Sequence, residues 1–296
     1  MIDLIFLGTS CMQPTKTRNH PAVLLSYKQE NILFDCGENV QRQMRLVSIK
    51  PAKVTRLLIS HWHGDHVFGI PGLMSAMGAD QYAKKLFIYG PAGTKKYLEH
   101  LFQSFAAKGI IDYEVNEVSS GVFFENDEFK LAAEKLDHTI PCVGFSFIEK
   151  DRLRINVAKA AQLGISGPAL GELQLGKNII HKGKKINFRD LTYPVTGKKI
   201  SYIADTSPCN GANFLARNAD LLISEGTHLS DIRDKTEKYK HLTVKDAALI
   251  ASENNAKKLI ITHLSQRYKS TSEIVQEARD HFDNTIVAED FMRIKV

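Results

Sequence analysis

Short apolar runs recur along the chain, each bounded by Gly, Pro or Asp. Each run is about four to eight residues long and most are rich in β-branched side chains, which is typical of buried strands. The runs that predict strands are Leu4–Leu7, Ala22–Ser26, Asn31–Phe34, Val54–Ser60, Leu86–Tyr89, Ile200–Ala204, Leu221–Ser224 and Leu259–Thr262.

Between these runs lie stretches with a helical character. They are Gly93–Phe105, Val157–Leu163, Thr243–Asn254 and Thr271–Phe282. Thr243 and Thr271 are predicted N-caps, because a threonine hydroxyl accepts a hydrogen bond from the first turn of a helix. The alternation of strands and helices predicts a mixed α/β protein with helices outside β-layers.

One stretch departs from this alternation. Glu149–Lys177 contains few bulky apolar residues and several glycines, so we expect it to project from the globule. The segment that follows, Lys177–Lys199, holds seven Lys or Arg and one acid, with a Lys-Gly-Lys-Lys turn at Lys182–Lys185. A solvated hairpin and a phosphate-binding surface both fit this pattern.

Composition narrows the class of protein. The chain has 296 residues, 43% hydrophobic and 24% charged, which excludes a disordered or fibrous protein. It has no run of about 18 apolar residues and no basic N-terminal start, so we expect neither a membrane span nor a signal peptide.

The net charge of +6 is compatible with a polyanionic partner, and equally with a lysine-rich surface. Widely spaced cysteines favour reduced thiols and a cytoplasmic location: Cys11, Cys36, Cys142 and Cys209.

The candidate chemistry is concentrated in Ser60-His61-Trp62-His63-Gly64-Asp65-His66, which follows a predicted strand. His61 and His63 are two residues apart, so a loop at the strand end can turn both imidazoles toward one point. Asp65 and His66 add a carboxylate and a third imidazole. Imidazole and carboxylate are the ligands expected for zinc and similar divalent ions.

Three later apolar runs also end at a ligand residue. Phe129–Leu136 is followed by Asp137 and His138, and the other two runs are followed by Asp205 and His263. Each residue alone is compatible with a capping or surface role. Together with the histidine motif they supply enough ligands for two metal ions.

This order of ligands resembles the metallo-β-lactamase superfamily. The resemblance implies an α/β protein, an αββα sandwich with a dinuclear metal site at its edge. It assigns His61, His63 and His138 to a first metal. It assigns Asp65, His66 and His263 to a second metal, with Asp205 as the bridge. Asp65 is the discriminating residue, because the true β-lactamases generally lack an aspartate there.

Further motifs narrow the resemblance to the ribonuclease Z family. Pro14–Asn19 matches the family's P-x-K-x-R-N motif, and Thr262–Tyr268 is similar to its last metal motif. Gly167-Pro168 lies where the family carries a flexible arm that grips tRNA. The resemblance implies one domain over residues 1–296, with an inserted arm at residues 149–177 as a tRNA-binding exosite.

The family's activity is cleavage of precursor tRNA on the 3′ side of the discriminator base. The resemblance implies a hydroxide activated by two Zn²⁺ ions per chain, with Mn²⁺ or Fe²⁺ as other possibilities, leaving a 3′-hydroxyl on the tRNA and a 5′-phosphate on the trailer. Asp65 is expected to orient or deprotonate the water, and Glu225 with His241 to protonate the leaving oxygen. Asp35 is expected to support a ligand histidine. A homodimer is also implied.

The substrate contacts follow from the same motifs. We expect Lys16, Arg18, Asn19, Gly167, Pro168, Arg267 and Tyr268 to bind the RNA. Two other functions share part of the pattern. Another hydrolase of the superfamily, acting on a small phosphodiester, thioester or lactone, would keep the metal ligands and lack Pro14–Asn19. A catalytically idle metal- or RNA-binding module would bind tRNA without cutting it.

Overall fold

The structure is a computed structural model that describes residues 1–106 and 111–296. Its first sheet has seven strands, numbered here along the chain. In spatial order they are β18 (Arg293–Lys295), β1 (Ile2–Gly8), β2 (Ala22–Tyr27), β3 (Glu30–Phe34), β4 (Arg56–Leu58), β5 (Lys85–Gly90) and β6 (Asp112–Glu117). From β3 to β6 the neighbours are parallel. The loops that follow β3 and β4 therefore leave the sheet side by side.

The second sheet also has seven strands. In spatial order they are β17 (Thr285–Val287), β16 (Leu259–Thr262), β15 (Leu221–Glu225), β14 (Lys199–Ile203), β9 (Cys142–Glu149), β8 (Phe129–Leu136) and β7 (Gly121–Glu125). β14, β15, β16 and β17 run parallel. Their carboxyl ends share one edge, which is where binding sites of parallel sheets are built.

The two sheets pack face to face through aromatic rings. Phe34 of β3 lies 5.3 Å from Tyr202 of β14 and 6.4 Å from Phe145 of β9, measured between ring centroids. Strand β1 is buried on both faces, which explains its unbroken apolar run. The predicted two-layered β-core is confirmed.

Helices pack against both sheets. The helices are α1 (Val40–Leu46), α2 (Gly64–Val67), α3 (Ile70–Ala79), α4 (Thr94–Gln103), α5 (Val157–Gln162), α6 (Pro168–Gln174), α7 (Phe188–Leu191), α8 (Asn210–Ala216), α9 (Arg233–Lys238), α10 (Val244–Glu253) and α11 (Ser272–Arg279), with 3₁₀ turns at Pro51–Lys53 and Ser230–Ile232. Helices α1 and α4 pack against the first sheet, and α8, α10 and α11 pack against the second. Met44 of α1 and Leu73 of α3 share one apolar cluster with Leu33 of β3. None of the helices in the described part of the chain is long and apolar enough to cross a membrane.

Most element predictions are confirmed, with small differences at the ends. Every run predicted to be a strand contains one, although β4 is shorter than Val54–Ser60. Thr243 caps α10 in a reciprocal capping box with Asp246. Thr271 lies at the N-cap position of α11, but its side chain makes no capping hydrogen bond there.

The chain divides into two compact units. The larger unit comprises Met1–Phe124, Leu131–Phe147 and Lys199–Val296, and the smaller unit comprises Glu125–Lys130 and Ile148–Lys198. The smaller unit contains α5 to α7 and two antiparallel pairs, β10 (Arg152–Ile155) with β13 (Thr192–Val195) and β11 (Ile179–His181) with β12 (Lys184–Ile186). The segment Glu149–Lys177 lies within this unit, which extends beyond it to Lys198.

Candidate metal centre

The histidine motif lies at the carboxyl end of β4. Its loop carries His61 and His63, and α2 begins directly afterwards at Gly64, so that Asp65 and His66 fall in the first helical turn. The amide of His66 donates to the carbonyl of His63 at 3.1 Å, which closes that turn. His61, Asp65 and His66 are buried, and His63 is half-buried.

Three further ligand candidates follow strands of the second sheet. His138 comes after β8, Asp205 after β14 and His263 after β16, and all three are buried. His263 has a φ of 61°, a left-handed conformation that is uncommon outside glycine. The structure therefore brings the sheet ends and the histidine motif to one place, as the sequence predicts.

The imidazoles of His61, His63 and His138 form the first group. His63 Nδ1 lies 3.1 Å from His61 Nε2 and 3.1 Å from His138 Nε2. Zinc–nitrogen bonds are about 2.0–2.1 Å long, so two nitrogens bound to one tetrahedral zinc lie about 3.3 Å apart. The observed spacing is close to that of three ligands around a single ion.

Asp65, His66 and His263 form the second group. His66 Nε2 lies 3.2 Å from His263 Nε2, and Asp65 Oδ2 lies 3.5 Å from each of these nitrogens. Asp65 Oδ1 is buried and has no hydrogen-bond partner among the described residues. An unpaired buried carboxylate oxygen is costly, so this atom fits a site that receives an ion or an ordered water.

Asp205 lies between the two groups and turns one oxygen toward each. Its Oδ2 is 3.6 Å from His61 Nε2, and its Oδ1 is 3.2 Å from His263 Nε2 and 3.6 Å from His66 Nε2. Two ions held by the two groups would share this carboxylate. The arrangement therefore fits a pair of divalent cations with Asp205 as the bridging ligand.

The protonation states suit metal binding. Burial lowers the pKa of His61, His63 and His138, so these imidazoles are neutral and keep a lone pair for a cation. Burial alone would raise the pKa of Asp205, but the imidazoles around it, led by His263, hold that pKa well below its usual range. The first group thus combines neutral imidazoles with an ionised carboxylate. In the second group, burial would lower the pKa of His66, but the Asp65, Asp205 and Asp35 carboxylates raise it well above its usual range, so a cation bound there would displace a proton from this ring.

Four of the five inward-facing nitrogens are oriented by a bond on the other side of the ring. His61 Nδ1 contacts Ser60 Oγ at 3.0 Å, and His66 Nδ1 contacts Asp35 Oδ2 at 2.8 Å. His138 Nδ1 contacts the carbonyl of Lys240 at 3.0 Å, and His263 Nδ1 contacts Thr227 Oγ1 at 2.8 Å. Such outer bonds fix which ring nitrogen is available to the metal.

Asp35 is the centre of this outer layer, the set of hydrogen bonds that surrounds the candidate ligands. Besides His66, it accepts hydrogen bonds from the Ser60 amide at 2.7 Å, the Ser60 hydroxyl at 2.9 Å and the Tyr202 hydroxyl at 2.8 Å. The predicted contact with a ligand histidine is present. Sequence reasoning missed Tyr202, although a tyrosine within the buried run Ile200–Ala204 is a signal that its hydroxyl needs a partner.

Glu225 and His241 lie beside the ligand groups. His241 Nδ1 is 3.2 Å and 3.1 Å from the two carboxylate oxygens of Glu225, and 3.8 Å from Asp205 Oδ2. Burial disfavours the charged imidazole, but the Glu225 and Asp205 carboxylates outweigh it and raise the pKa of His241 to about 9. His241 is therefore protonated at neutral pH, as a proton donor must be.

The side chains of the Pro14–Asn19 loop point in different directions. Lys16 is exposed and lines a cavity of ≈1220 Å³ together with Gln266 and Lys269. The Arg18 guanidinium points inward, where Nη1 donates to Thr9 Oγ1 at 2.7 Å and to the carbonyl of Ala288 at 2.6 Å. Asn19 donates through its backbone amide to Asp290 and through Nδ2 to the carbonyl of Glu38.

The other predicted substrate residues are more scattered. Arg267 is exposed, and the hydroxyl of its neighbour Tyr268 accepts a hydrogen bond from the Leu229 amide at 2.8 Å. Gly167 and Pro168 belong to the smaller unit, where both are exposed and Pro168 begins α6. Gly167 has φ 64° and ψ −141°, a conformation that glycine alone adopts without strain.

Comparison with known proteins finds relatives that span this whole chain. The family model described as "Anti-Pycsar protein Apyc1" matches residues 2–153. A ribonuclease Z of Methanothermobacter thermautotrophicus is 40% identical, over 100% of this chain and 97% of that protein. A ribonuclease Z of Bacillus licheniformis is 38% identical, over 98% of this chain and 97% of that protein.

Solved structures show the same likeness. The crystal structure of human tRNase Z, short form, superposes with a TM-score of 0.74 at 28% identity and covers 99% of both chains. The metallo-β-lactamase fold protein YhfI from Bacillus subtilis superposes with a TM-score of 0.71 at 19% identity and covers 99% of this chain and 98% of its own.

The two facing sheets with paired histidine–aspartate groups at their edge define a protein of the metallo-β-lactamase fold. Within that fold, full-length identity of 40% to a curated relative is decisive. The chain belongs to the ribonuclease Z family.

Proposed function

We propose that this chain is an endoribonuclease that cuts precursor tRNA on the 3′ side of the discriminator base. The products are a tRNA with a 3′-hydroxyl and a trailer with a 5′-phosphate. The observation that carries the proposal is the position of Asp205, whose two oxygens face two separate ligand groups in a chain of this family. A phosphodiester is anionic, and two divalent cations held by these groups would place positive charge where the phosphate must enter.

Two Zn²⁺ ions are the proposed cofactors, with Mn²⁺ or Fe²⁺ also compatible with these ligands. The first would be held by His61, His63 and His138. The second would be held by Asp65, His66 and His263, with Asp205 shared. When bound, such a pair neutralises the phosphate and lowers the pKa of a water molecule. Asp65 keeps Oδ1 free of protein partners among the described residues, so this oxygen is available to orient that water.

The proposed proton donor is His241. Attack of water on phosphorus forms one P–O bond and breaks the bond to the 3′-oxygen of the tRNA, which must gain a proton. His241 is protonated at neutral pH and is held by Glu225 beside Asp205. Glu225 is fixed in turn by the Thr206 amide at 2.7 Å and the Thr227 hydroxyl at 2.6 Å. The pair therefore delivers a proton from a defined direction.

The smaller unit is the proposed tRNA-binding arm, with Gly167 and Pro168 at an exposed turn. Six cations of this unit make no ion pair with any described residue: Arg154, Lys159, Lys182, Lys184, Lys185 and Arg189. Unpaired, exposed cations are suited to phosphate contacts, which hold a nucleic acid without reading its sequence. Lys16, Arg267 and Tyr268 would contact the RNA near the cut. We also propose a homodimer, as the resemblance implies, and a cytoplasmic location, as the widely spaced cysteines favour.

Cleavage of a defined precursor tests the proposal. A precursor tRNA with a 3′ trailer is incubated with the protein and Zn²⁺ or Mn²⁺, and the cut is mapped at nucleotide resolution. We expect one cut after the discriminator base, with a 5′-phosphate on the trailer. Random degradation would overturn the proposal. So would an intact tRNA together with strong turnover of a small ester, which would favour the other hydrolase functions.

A further inference from the structure

The carboxylate of Asp290 joins three distant parts of the larger unit. Its Oδ1 accepts from the Thr9 hydroxyl at 2.7 Å, and its Oδ2 accepts from the Asn19 amide at 2.7 Å and from Gln43 Nε2 at 3.1 Å. Gln43 also donates to the carbonyl of Leu7 at 2.7 Å. Both carboxylate oxygens are thus used, and none of these bonds involves a candidate metal ligand.

These bonds fix the loop Pro14–Asn19 at its C-terminal end. Asn19 binds Asp290 directly, and Arg18 binds it through Thr9, whose hydroxyl accepts from the guanidinium and donates to the carboxylate. The Thr15 amide donates to the carbonyl of Arg18 at 2.8 Å, which closes the loop on itself. The position of Lys16 in this loop therefore depends on Asp290.

The same network reaches the candidate metal centre. Leu264 follows His263, and its amide donates to the carbonyl of Thr9 at 2.9 Å. Ala288, which accepts from Arg18, donates through its amide to the carbonyl of Ile261 in β16 at 2.8 Å. The loop and the strand that carries His263 are therefore tied to one another through Thr9 and residues 288–290.

We propose that Asp290 is a positioning residue for RNA cleavage: it holds the Pro14–Asn19 loop in register with the metal centre, so that Lys16 faces the cavity beside the segment that follows His263. This inference rests on the proposed function for its substrate. Lys269 lines the same cavity from that segment. An RNA strand in this cavity would have a cation on each side, with their separation set by the hydrogen bonds at Asp290.

The chemistry of the site explains why the residue is an aspartate. The three groups that face it are hydrogen-bond donors, and a carboxylate is acceptor-only when ionised, so it satisfies all three. An asparagine would turn a donor toward either Thr9 or the Asn19 amide and leave one of them unpaired. Arg18 supplies a nearby positive charge, although burial outweighs it and raises the pKa of Asp290 to about 6.

The test is Asp290→Asn, assayed on a precursor tRNA and on a small chromogenic phosphodiester that does not reach the loop. We expect KM for the precursor to rise about ten-fold, since one or two hydrogen bonds are removed, with kcat/KM for the small substrate unchanged. Trypsin should cleave after Lys16 and Arg18 faster than in the wild type. The matched control is Asp283→Asn, a carboxylate of the same C-terminal segment that makes none of these bonds, and it should change neither the KM nor the trypsin rate.

A second variant keeps the test decisive if Asp290→Asn folds poorly. Thr9→Val removes only the hydroxyl between Arg18 and Asp290, and it should raise KM in the same direction by about three-fold. Unchanged KM and trypsin rates in both variants would overturn the inference, as would an equal loss on both substrates. If the wild type does not cut precursor tRNA, the proposed function fails, and the trypsin rates still decide whether Asp290 holds the loop.

Discussion

The larger and smaller units differ in how they are held together. In the larger unit, helices α1, α3 and α4 share a continuous apolar cluster with the first sheet. In the smaller unit, the fully buried apolar cluster consists of Ile165, Leu173 and Leu191. Segments with few buried apolar contacts open more readily than a packed core. The candidate metal centre therefore lies in the unit with the more extensive apolar core.

The two units also handle charge differently. The larger unit buries Asp35, Asp65, Asp205 and Glu225, each beside an imidazole. The smaller unit leaves six cations exposed and without an ion pair to any described residue, Lys182, Lys184 and Lys185 among them. Buried charges must be paired at fixed distances, whereas exposed cations attract a polyanion at low structural cost. We therefore expect substitutions in the larger unit to impair hydrolysis, and substitutions in the smaller unit to impair tRNA binding.

The largest effect is expected from Asp65→Ala. Loss of this carboxylate removes one ligand of the second group and the oxygen available to the water, so kcat for precursor cleavage should fall at least about 10³-fold. Affinity for the precursor, measured by filter binding, should change less than about three-fold. Full activity of the variant would show that Asp65 is not a catalytic residue. An equally large loss of affinity for the precursor would contradict the assignment of hydrolysis and tRNA binding to different units.

A smaller effect is expected from His241→Ala. A positioned general acid contributes about 10²-fold or more, so kcat should fall by about that factor while metal content is retained. Glu225→Gln should lower kcat in the same direction, because it removes the charge that keeps His241 protonated. The control is His281→Ala, at a half-buried position in the C-terminal segment that is not part of the site. Retained activity without His241 would assign the proton to another group.

Removing positive charges from the smaller unit should weaken tRNA binding and leave hydrolysis unchanged. Changing Lys182, Lys184 and Lys185 together to Gln should raise the Kd for precursor tRNA about ten-fold and lower the slope of log Kd against log salt by about one for each phosphate that is no longer bound. Turnover of a small phosphodiester should stay at the wild-type rate. Lys177→Gln is the matched control, because Lys177 is already paired with Glu172 at 3.2 Å. Equal losses on both substrates would argue against the arm assignment.

The smallest effect on catalysis is expected from Leu173→Ala, which acts on the core of the smaller unit. Replacing a fully buried leucine with alanine lowers the free energy of unfolding by about 2–5 kcal/mol. This is a large share of the stability that a cluster of three buried residues contributes. Hydrogen exchange should accelerate in residues 148–198 and stay unchanged in β14, β15 and β16. Leu33→Ala is the comparison, because it should accelerate exchange in the larger unit. Uniform acceleration by Leu173→Ala would mean that the chain unfolds as one unit.

The sequence could predict which side chains converge because its signals are local. His61, His63, Asp65 and His66 lie in one short motif, and the remaining ligands directly follow apolar runs. The outer layer was harder to predict, because Tyr202 meets Asp35 only after two sheets have packed face to face. No spacing along the chain encodes that contact.

The side-chain contacts of the Pro14–Asn19 loop and the boundaries of the smaller unit could not be predicted from the sequence either. Lys16 and Arg18 are both cations that line the cavity, yet the Arg18 guanidinium is fixed by hydrogen bonds to Thr9 and Ala288, and these partners come from distant segments. The smaller unit likewise includes Glu125–Lys130, where the Lys150 amide donates to the carbonyl of Glu128 at 2.8 Å. Pairing between distant segments leaves no periodic signal in either of them.

The central claim is that seven side chains form one site for two divalent cations: His61, His63, Asp65, His66, His138, Asp205 and His263. Equilibrium dialysis of the metal-stripped protein against Zn²⁺, read by elemental analysis, tests it directly. The wild type should bind about two ions per chain, and Asp205→Ala, which removes the shared ligand, should bind fewer at the same free zinc concentration. No stoichiometric binding by the wild type, or identical binding by Asp205→Ala, would contradict the account.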